Sequence, residues 1–139
     1  MREILFRGKR KGDEEWEQEW IFGDLMQIPT HNFCSIIEQT ACAENWEVIP
    51  ETVGQYTGLT DKNGTKIFEG DIVKEKDVIH NGELQIKGYT YVVEMAEGCW
   101  FATYGEMIWF LGEKSKELEV IGNIHDNPEL LKGGVDNAK

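Results

Sequence analysis

Three cysteines, three histidines and two serines are the residues of this chain with nucleophilic or metal-binding chemistry to offer. A thiolate or alkoxide nucleophile needs a base within hydrogen-bond reach, and a structural zinc needs four soft or nitrogen donors at tight spacing. His31 and Cys34 stand three residues apart, but no second pair follows at metal spacing and Cys42 is the one nearby soft donor. Cys34, Cys42 and Cys99 have no CxxC spacing and are odd in number, so they read as free thiols of a reducing compartment. A pairing of one of them with His31, His80 or His125 is not visible in the spacing. Neither Ser35 nor Ser115 lies in a nucleophile elbow. Gly54, Gly58, Gly64 and Gly70 lack phosphate-loop spacing and no Gly-Lys-Ser/Thr follows, so they read as turns and bulges. Carboxylates are too numerous for a pair of them to be diagnostic, and Asp71 is expected to bond the amides of a turn. No residue is assigned a catalytic, cofactor or metal role, and the expectation is a protein that is not an enzyme.

The aromatic residues offer a different chemistry. Trp16, Trp46, Trp100 and Trp109 are candidate anchors of a protein interface, where tryptophan and tyrosine carry much of the binding energy. Tyr89, Tyr91, Trp100 and Phe101 would instead serve as stacking platforms if the ligand were a nucleic acid. Charge weighs against the second option. With 26 acidic and 14 basic residues the net charge is -12, which repels a phosphate backbone and keeps the protein soluble. The basic cluster Arg7, Lys9, Arg10 and Lys11 is followed by Asp13, Glu14, Glu15, Glu17 and Glu19. With Gly12-Asp13 in a hairpin turn, the two arms neutralise each other across strands.

The elements that position these residues read as strands. Ile4 and Phe6 alternate with Glu3, Leu5 and Arg7, and Trp20 and Phe22 alternate around Ile21, so both arms have strand periodicity. Residues 24–50 read as an irregular connection with one strand at 33–37. Residues 61–64 are a turn, and Phe68-Glu69-Gly70-Asp71 leads into a strand from Ile72 toward Ile79-His80. Asn81-Gly82 is a hairpin signal, because both central residues of a type I′ turn need positive φ. Tyr89, Tyr91, Val93 and Met95 share one strand face; Glu97-Gly98 turns into 99–102, and 107–111 is a further apolar run. Leu118, Val120, Gly122 and Ile124 mark a last strand with one inward face. Asp126-Asn127-Pro128-Glu129 then caps a short helix through Leu130 and Leu131, stopped by Gly133-Gly134.

Short strands parted by glycine-containing turns predict a mostly β fold, a barrel or sandwich. The 139 residues suit one domain over 1–132, with 133–139 as a flexible tail. Hydrophobic residues at 40% and aromatics at 11% supply a core that offsets the ordering entropy. No apolar run is long enough to span a membrane, and Met1 to Arg7 lacks the apolar core of a secretory signal, so the expected location is the cytoplasm.

Arg7-Gly8, Gly23-Asp24-Leu25, the run from Val53 to Val73 and Val120-Ile121-Gly122-Asn123-Ile124 with Asn127-Pro128-Glu129-Leu130-Leu131 together resemble the YopX family of phage and prophage proteins. The likeness spans nearly the whole chain and is most specific in Gly54-Gln55-Tyr56-Thr57-Gly58 and Glu69-Gly70-Asp71-Ile72-Val73. It implies a β-rich fold with an SH3-like or pseudobarrel portion and an origin in a bacteriophage or prophage, and it supplies no active-site residues. The favoured reading is a non-enzymatic phage accessory protein that binds a host or phage protein. The alternative is a nucleic-acid-associated module that stacks bases on a barrel face. Self-association into a homo-oligomer is also expected, since open β-structure leaves edge strands to cover.

Overall fold

The computed structural model describes residues 2–131 and is mostly strand. It divides into two compact units, Met1–Gly58 and Leu59–Lys139. The tail expected at 133–139 and its glycine stop lie outside the described residues.

In the first unit, β1 (Phe6–Lys9) pairs antiparallel with β2 (Trp20–Ile28), Phe6 opposite Gly23 and Lys9 opposite Trp20. β2 pairs with β3 (Phe33–Ile37), and β3 with β4 (Asn45–Val48), while the start of β5 (Gly54–Thr60) pairs with the other side of β1. Ile21, Ile36 and Val48 form the buried core, with Phe6, Leu25, Trp46 and Val53 packed around it. Residues 24–50 are therefore more regular than the sequence suggested. β2 runs unbroken to Ile28, Pro29 opens a single 3₁₀ turn, and β4 adds a strand that a four-residue pattern of exposed Asn45 and Glu47 around Trp46 and Val48 had concealed.

The basic arm is neutralised, though not by the facing arm of a tight hairpin. Residues 11–19 form a wide loop containing a 3₁₀ turn at Glu15–Glu17. Arg10 pairs with Glu19 at 3.8 Å, but Lys11 reaches Glu47 on β4 at 3.1 Å. The Arg7 and Lys9 cations lie over the Trp20 ring, and Arg10 over Trp46.

In the second unit, residues 61–65 turn the end of β5 into β6 (Lys66–Phe68). A five-stranded antiparallel sheet follows in the order β12-β11-β10-β7-β13. Its strands are β7 (Asp71–Glu75), β10 (Thr90–Ala96), β11 (Cys99–Tyr104), β12 (Met107–Phe110) and β13 (Leu118–Asn123). Between β12 and β13 lie one helical turn, α1 (Leu111–Lys114), and a 3₁₀ turn, Ser115–Glu117. β8 (Val78–His80) and β9 (Glu83–Ile86) form a separate hairpin, with Asn81 and Gly82 at φ 53° and 78° as a type I′ turn demands. Residues 129–131 are helical, as the Asn-Pro start suggested.

Ile67, Val73, Tyr91, Val93, Ala102, Leu111 and Leu118 make the core of this unit. Period-two alternation places Val73, Tyr91, Val93, Ala102 and Leu118 on one face of the sheet, and Ile67 from β6 and Leu111 from α1 join the cluster there. β13 departs from the simple alternation: a bulge between Val120 and Gly122 shifts the register, so Asn123 is buried and Ile124 falls beyond the strand. The strand orders are open: an isolated bridge between Arg10 and Val48 ties β4 back to the chain just after β1, but no sheet among the described residues closes into the barrel expected from the strand spacing.

Two buried aspartates pin the turns. Gly70 takes φ 88°, and the Asp71 carboxylate accepts the Phe68 N–H at 2.7 Å, the turn-bonding role expected for it. Asp61, 2% exposed, accepts the N–H groups of Asn63 (2.8 Å) and Thr65 (2.9 Å) with Oδ1 and that of Val120 (2.9 Å) with Oδ2. Burial pushes the Asp61 carboxyl up, but the three amides and Lys62 outweigh it and hold it below the usual carboxylate range.

Candidate interaction surface

The polar residues singled out from the sequence are dispersed. Cys34 is half-buried on β3, Cys42 and Cys99 are exposed, and all three are free thiols. Burial pushes the Cys34 thiol up, with the Glu51 charge adding to it, which is the wrong direction for a nucleophile. His31 Nδ1 meets the Thr30 hydroxyl at 2.9 Å. Ser35 and Ser115 are buried. Among the described residues no three of His, Cys, Asp and Glu converge on a common point suited to a metal ion, and no helix is long and apolar enough to cross a membrane.

The aromatics are sorted by the sheet. Tyr91 is fully buried on the core face of β10, and Trp100, opposite Met95, points to the same side. Phe101, opposite Glu94, points to the other. The four rings proposed for base stacking therefore do not share a face. On the core side, Tyr89 packs on Tyr104 with centroids 5.4 Å apart, and the Tyr91 hydroxyl donates to Glu75. Burial raises the Tyr91 hydroxyl above the ordinary tyrosine range and Glu75 adds to the effect, with Trp109 opposing it. Lys114 completes the cluster, 3.5 Å from Glu75 and 4.3 Å above the Trp109 ring. Of the four candidate tryptophans, Trp46 is half-buried and donates to Glu38 at 2.6 Å, Trp100 packs against the core, and Trp16 is 80% exposed on its 3₁₀ turn.

What the sheet does assemble is an apolar strip on its outer face. The register β10–β11–β12 sets Glu94 beside Phe101 beside Phe110, and Val92 beside Thr103 beside Ile108. The Phe101 and Phe110 rings lie 5.2 Å apart. Ile108 and Phe110 are 61% and 54% exposed. Between them and the β10–β11 turn runs a groove of about 270 Å³ lined by Glu94, Ala96, Glu97, Phe101, Thr103 and Ile108. Its two ionisable groups are both carboxylates, of which Glu94 also accepts the Thr103 hydroxyl at 3.1 Å. Of these residues only Phe101 was singled out in the sequence, and for another purpose. The missed signal is the parity of Ile108 and Phe110 within a run that reads as uniformly apolar. The β8–β9 hairpin is a second apolar surface, with Val78, Ile79, Leu84 and Ile86 all exposed.

Comparison with known proteins gives two results. The family pattern described as YopX protein matches residues 5–132. The solved structure titled "Crystal structure of protein EF1440 from Enterococcus faecalis" superposes with a TM-score of 0.59 at 23% identity, covering 94% of this chain and 99% of that one. That likeness is one of fold. No curated protein matches.

Proposed function

Because the chain belongs to the YopX family, we propose that it is a phage or prophage accessory protein, non-enzymatic, that binds a host or phage protein in the bacterial cytoplasm through the outer face of β10–β12. The observation that carries this reading is the strip of Phe101, Ile108 and Phe110 set side by side by strand register, with the two phenylalanine rings in contact and Ile108 and Phe110 left in water. Each Å² of apolar surface kept exposed forgoes about 25 cal/mol, and contiguous patches of this kind mark interaction sites. Aromatic rings at the centre of such a patch supply the anchors, and the surrounding carboxylates supply specificity.

The second unit supports the finer fold reading too. What supports an SH3-like reading is the meander order β12-β11-β10-β7-β13 with a 3₁₀ turn just before the last strand. In that reading the β8–β9 hairpin occupies the long connection between the first two strands of the module. This likeness concerns architecture, and the binding function rests on the patch itself.

The test is affinity capture of the tagged full chain from phage-infected cells, with and without nuclease, beside an Ile108→Asp/Phe110→Asp double variant. Both positions are exposed, so the variant keeps its fold, which a thermal melt confirms. The reading expects a protein retained after nuclease by the parent and lost by the variant. Retention that vanishes with nuclease, or that the variant leaves unchanged, overturns it.

A further inference from the structure

Resting on that protein-binding reading, the geometry points to the form of the partner: we propose that it enters as an extended, arginine-bearing segment that adds a strand to the free edge of β12.

The backbone makes the first argument. Gly105 and Glu106 form a two-residue hairpin loop closed by Tyr104 and Met107, with Gly105 at φ 59° in the first loop position, as a type II′ turn requires. Antiparallel pairs then alternate, so Met107 and Trp109 direct their N–H and C=O groups to β11, and Ile108 and Phe110 direct theirs away from it. β12 ends its sheet order, and no described strand takes up that edge. Proteins blunt such edges with lysine, proline or a bulge. The strand Met-Ile-Trp-Phe has none of these, and its pairing with β11 runs without a register shift. An added strand would meet two outward amides, those of Ile108 and Phe110, and the outward carbonyl of Ile108, since the carbonyl of Phe110, the N-cap of α1, accepts the first bond of the helix.

Charge makes the second argument, and it chooses the occupant. The groove beside this edge holds Glu94 and Glu97 and no basic residue. Neither carboxylate has an ion-pair partner among the described residues. A second copy of this chain, itself at net charge -12, would bring carboxylates against carboxylates. A basic segment reverses that sign. Glu94 lies on β10, so an added strand would stand three strand spacings from it, roughly 14 Å. Extended from the added strand, arginine covers about half of that distance and meets the Glu94 carboxylate where it bonds Thr103 on β11. Its guanidinium would lie on the Phe101 and Phe110 rings as it crosses, a stacking that planar guanidinium favours over ammonium.

The experiment titrates the ¹⁵N-labelled full chain with acetyl-Val-Arg-Val-Arg-Val-Arg-Val-amide and with the same peptide carrying glutamate for arginine. The proposal expects the Ile108 and Phe110 amides to shift and gain exchange protection, with the arginine peptide binding at least tenfold tighter. Glu94→Gln should weaken it several-fold. Phe110 already sits at φ -63°, the value proline requires, so Phe110→Pro removes the outward N–H without backbone strain. Phe110→Ala removes the ring and keeps the N–H. Pairing at the edge predicts that the proline variant loses binding well beyond the alanine variant. Equal loss in both overturns strand addition and leaves the face reading standing. No binding of the arginine peptide, or equal binding of the glutamate peptide, overturns the choice of partner. A free chain that sediments as a dimer with these two amides protected assigns the edge to a second copy and overturns it as well. The capture experiment above depends on neither peptide, so failure of the parent reading is recorded separately.

Discussion

Replacing Asp61 tests the claim that one buried carboxylate ties the turn at 61–65 to β13. The side chain accepts three backbone N–H groups, two within its own turn and one from Val120. A hydrogen bond to a charged group contributes about 1.5–3 kcal/mol, but Asn63 and Thr65 are exposed and their amides recover part of this from water. The half-buried Val120 amide recovers less. Asp61→Ala should therefore cost about 2–4 kcal/mol, a fall in urea midpoint of roughly 1–2 M at the slope usual for a chain of this size. Asp61→Asn keeps one acceptor oxygen but turns an NH₂ toward an amide donor, and should fall between the two. The pH dependence has a definite sign. The folded carboxyl titrates below its unfolded value of about 3.9, so its contribution is complete above that value and is lost as pH falls through the folded pKa. The gap between the parent and Asp61→Asn should hold from pH 7 to pH 5 and narrow below pH 4. Urea titrations followed by tryptophan fluorescence at each pH measure it. An alanine variant within 0.5 kcal/mol of the parent, or a gap that is the same at pH 7 and pH 3, refutes the reasoning.

Three other perturbations probe the rest of the structure. Tyr91→Phe removes the hydroxyl that donates to Glu75 and should cost about 1–2 kcal/mol by thermal melting. Because the folded Tyr91 pKa is raised, its contribution is present below the unfolded value near 10 and lost as pH rises above it; alkaline absorbance should show one tyrosine ionising after the others in the parent but not in the variant. Gly88→Ala would place a Cβ 2.0 Å from the Glu75 carbonyl oxygen, so the chain must shift there, and a loss of at least about 3 kcal/mol is expected; a melt within 2 °C of the parent would contradict the close approach. Ile79→Lys with Leu84→Lys in the β8–β9 hairpin should move stability by less than about 0.5 kcal/mol per site, because both side chains are exposed; a larger fall would mean that the hairpin packs against something.

The legible parts of the fold were those with a local cause. Asn81-Gly82 forces its turn, Asp71 with Gly70 forces another, and the alternation at 89–95 is long enough to separate faces. The connection at 24–50 was not legible, because β4 has four residues and owes its place to Ile36 and Val48 packing together, which is a tertiary contact. The bulge in β13 is also invisible locally, since it is set by pairing with β7. The candidate surface lay between these cases. Phe101 and Trp100 are adjacent in sequence and look equivalent, and only the register with β10 sends one outward and the other inward. Trp109 and Phe110 are divided by β11 in the same way.

The account turns on the outer face of β10–β12 being where a protein binds. The most direct measurement places a photo-crosslinking p-benzoylphenylalanine at position 108, with the same residue at the exposed position Thr40 as control, in full-length protein expressed in phage-infected cells. The account predicts a discrete protein adduct at 108, resistant to nuclease and absent at 40. No adduct at 108, an equal adduct at both positions, or one that nuclease removes would contradict it.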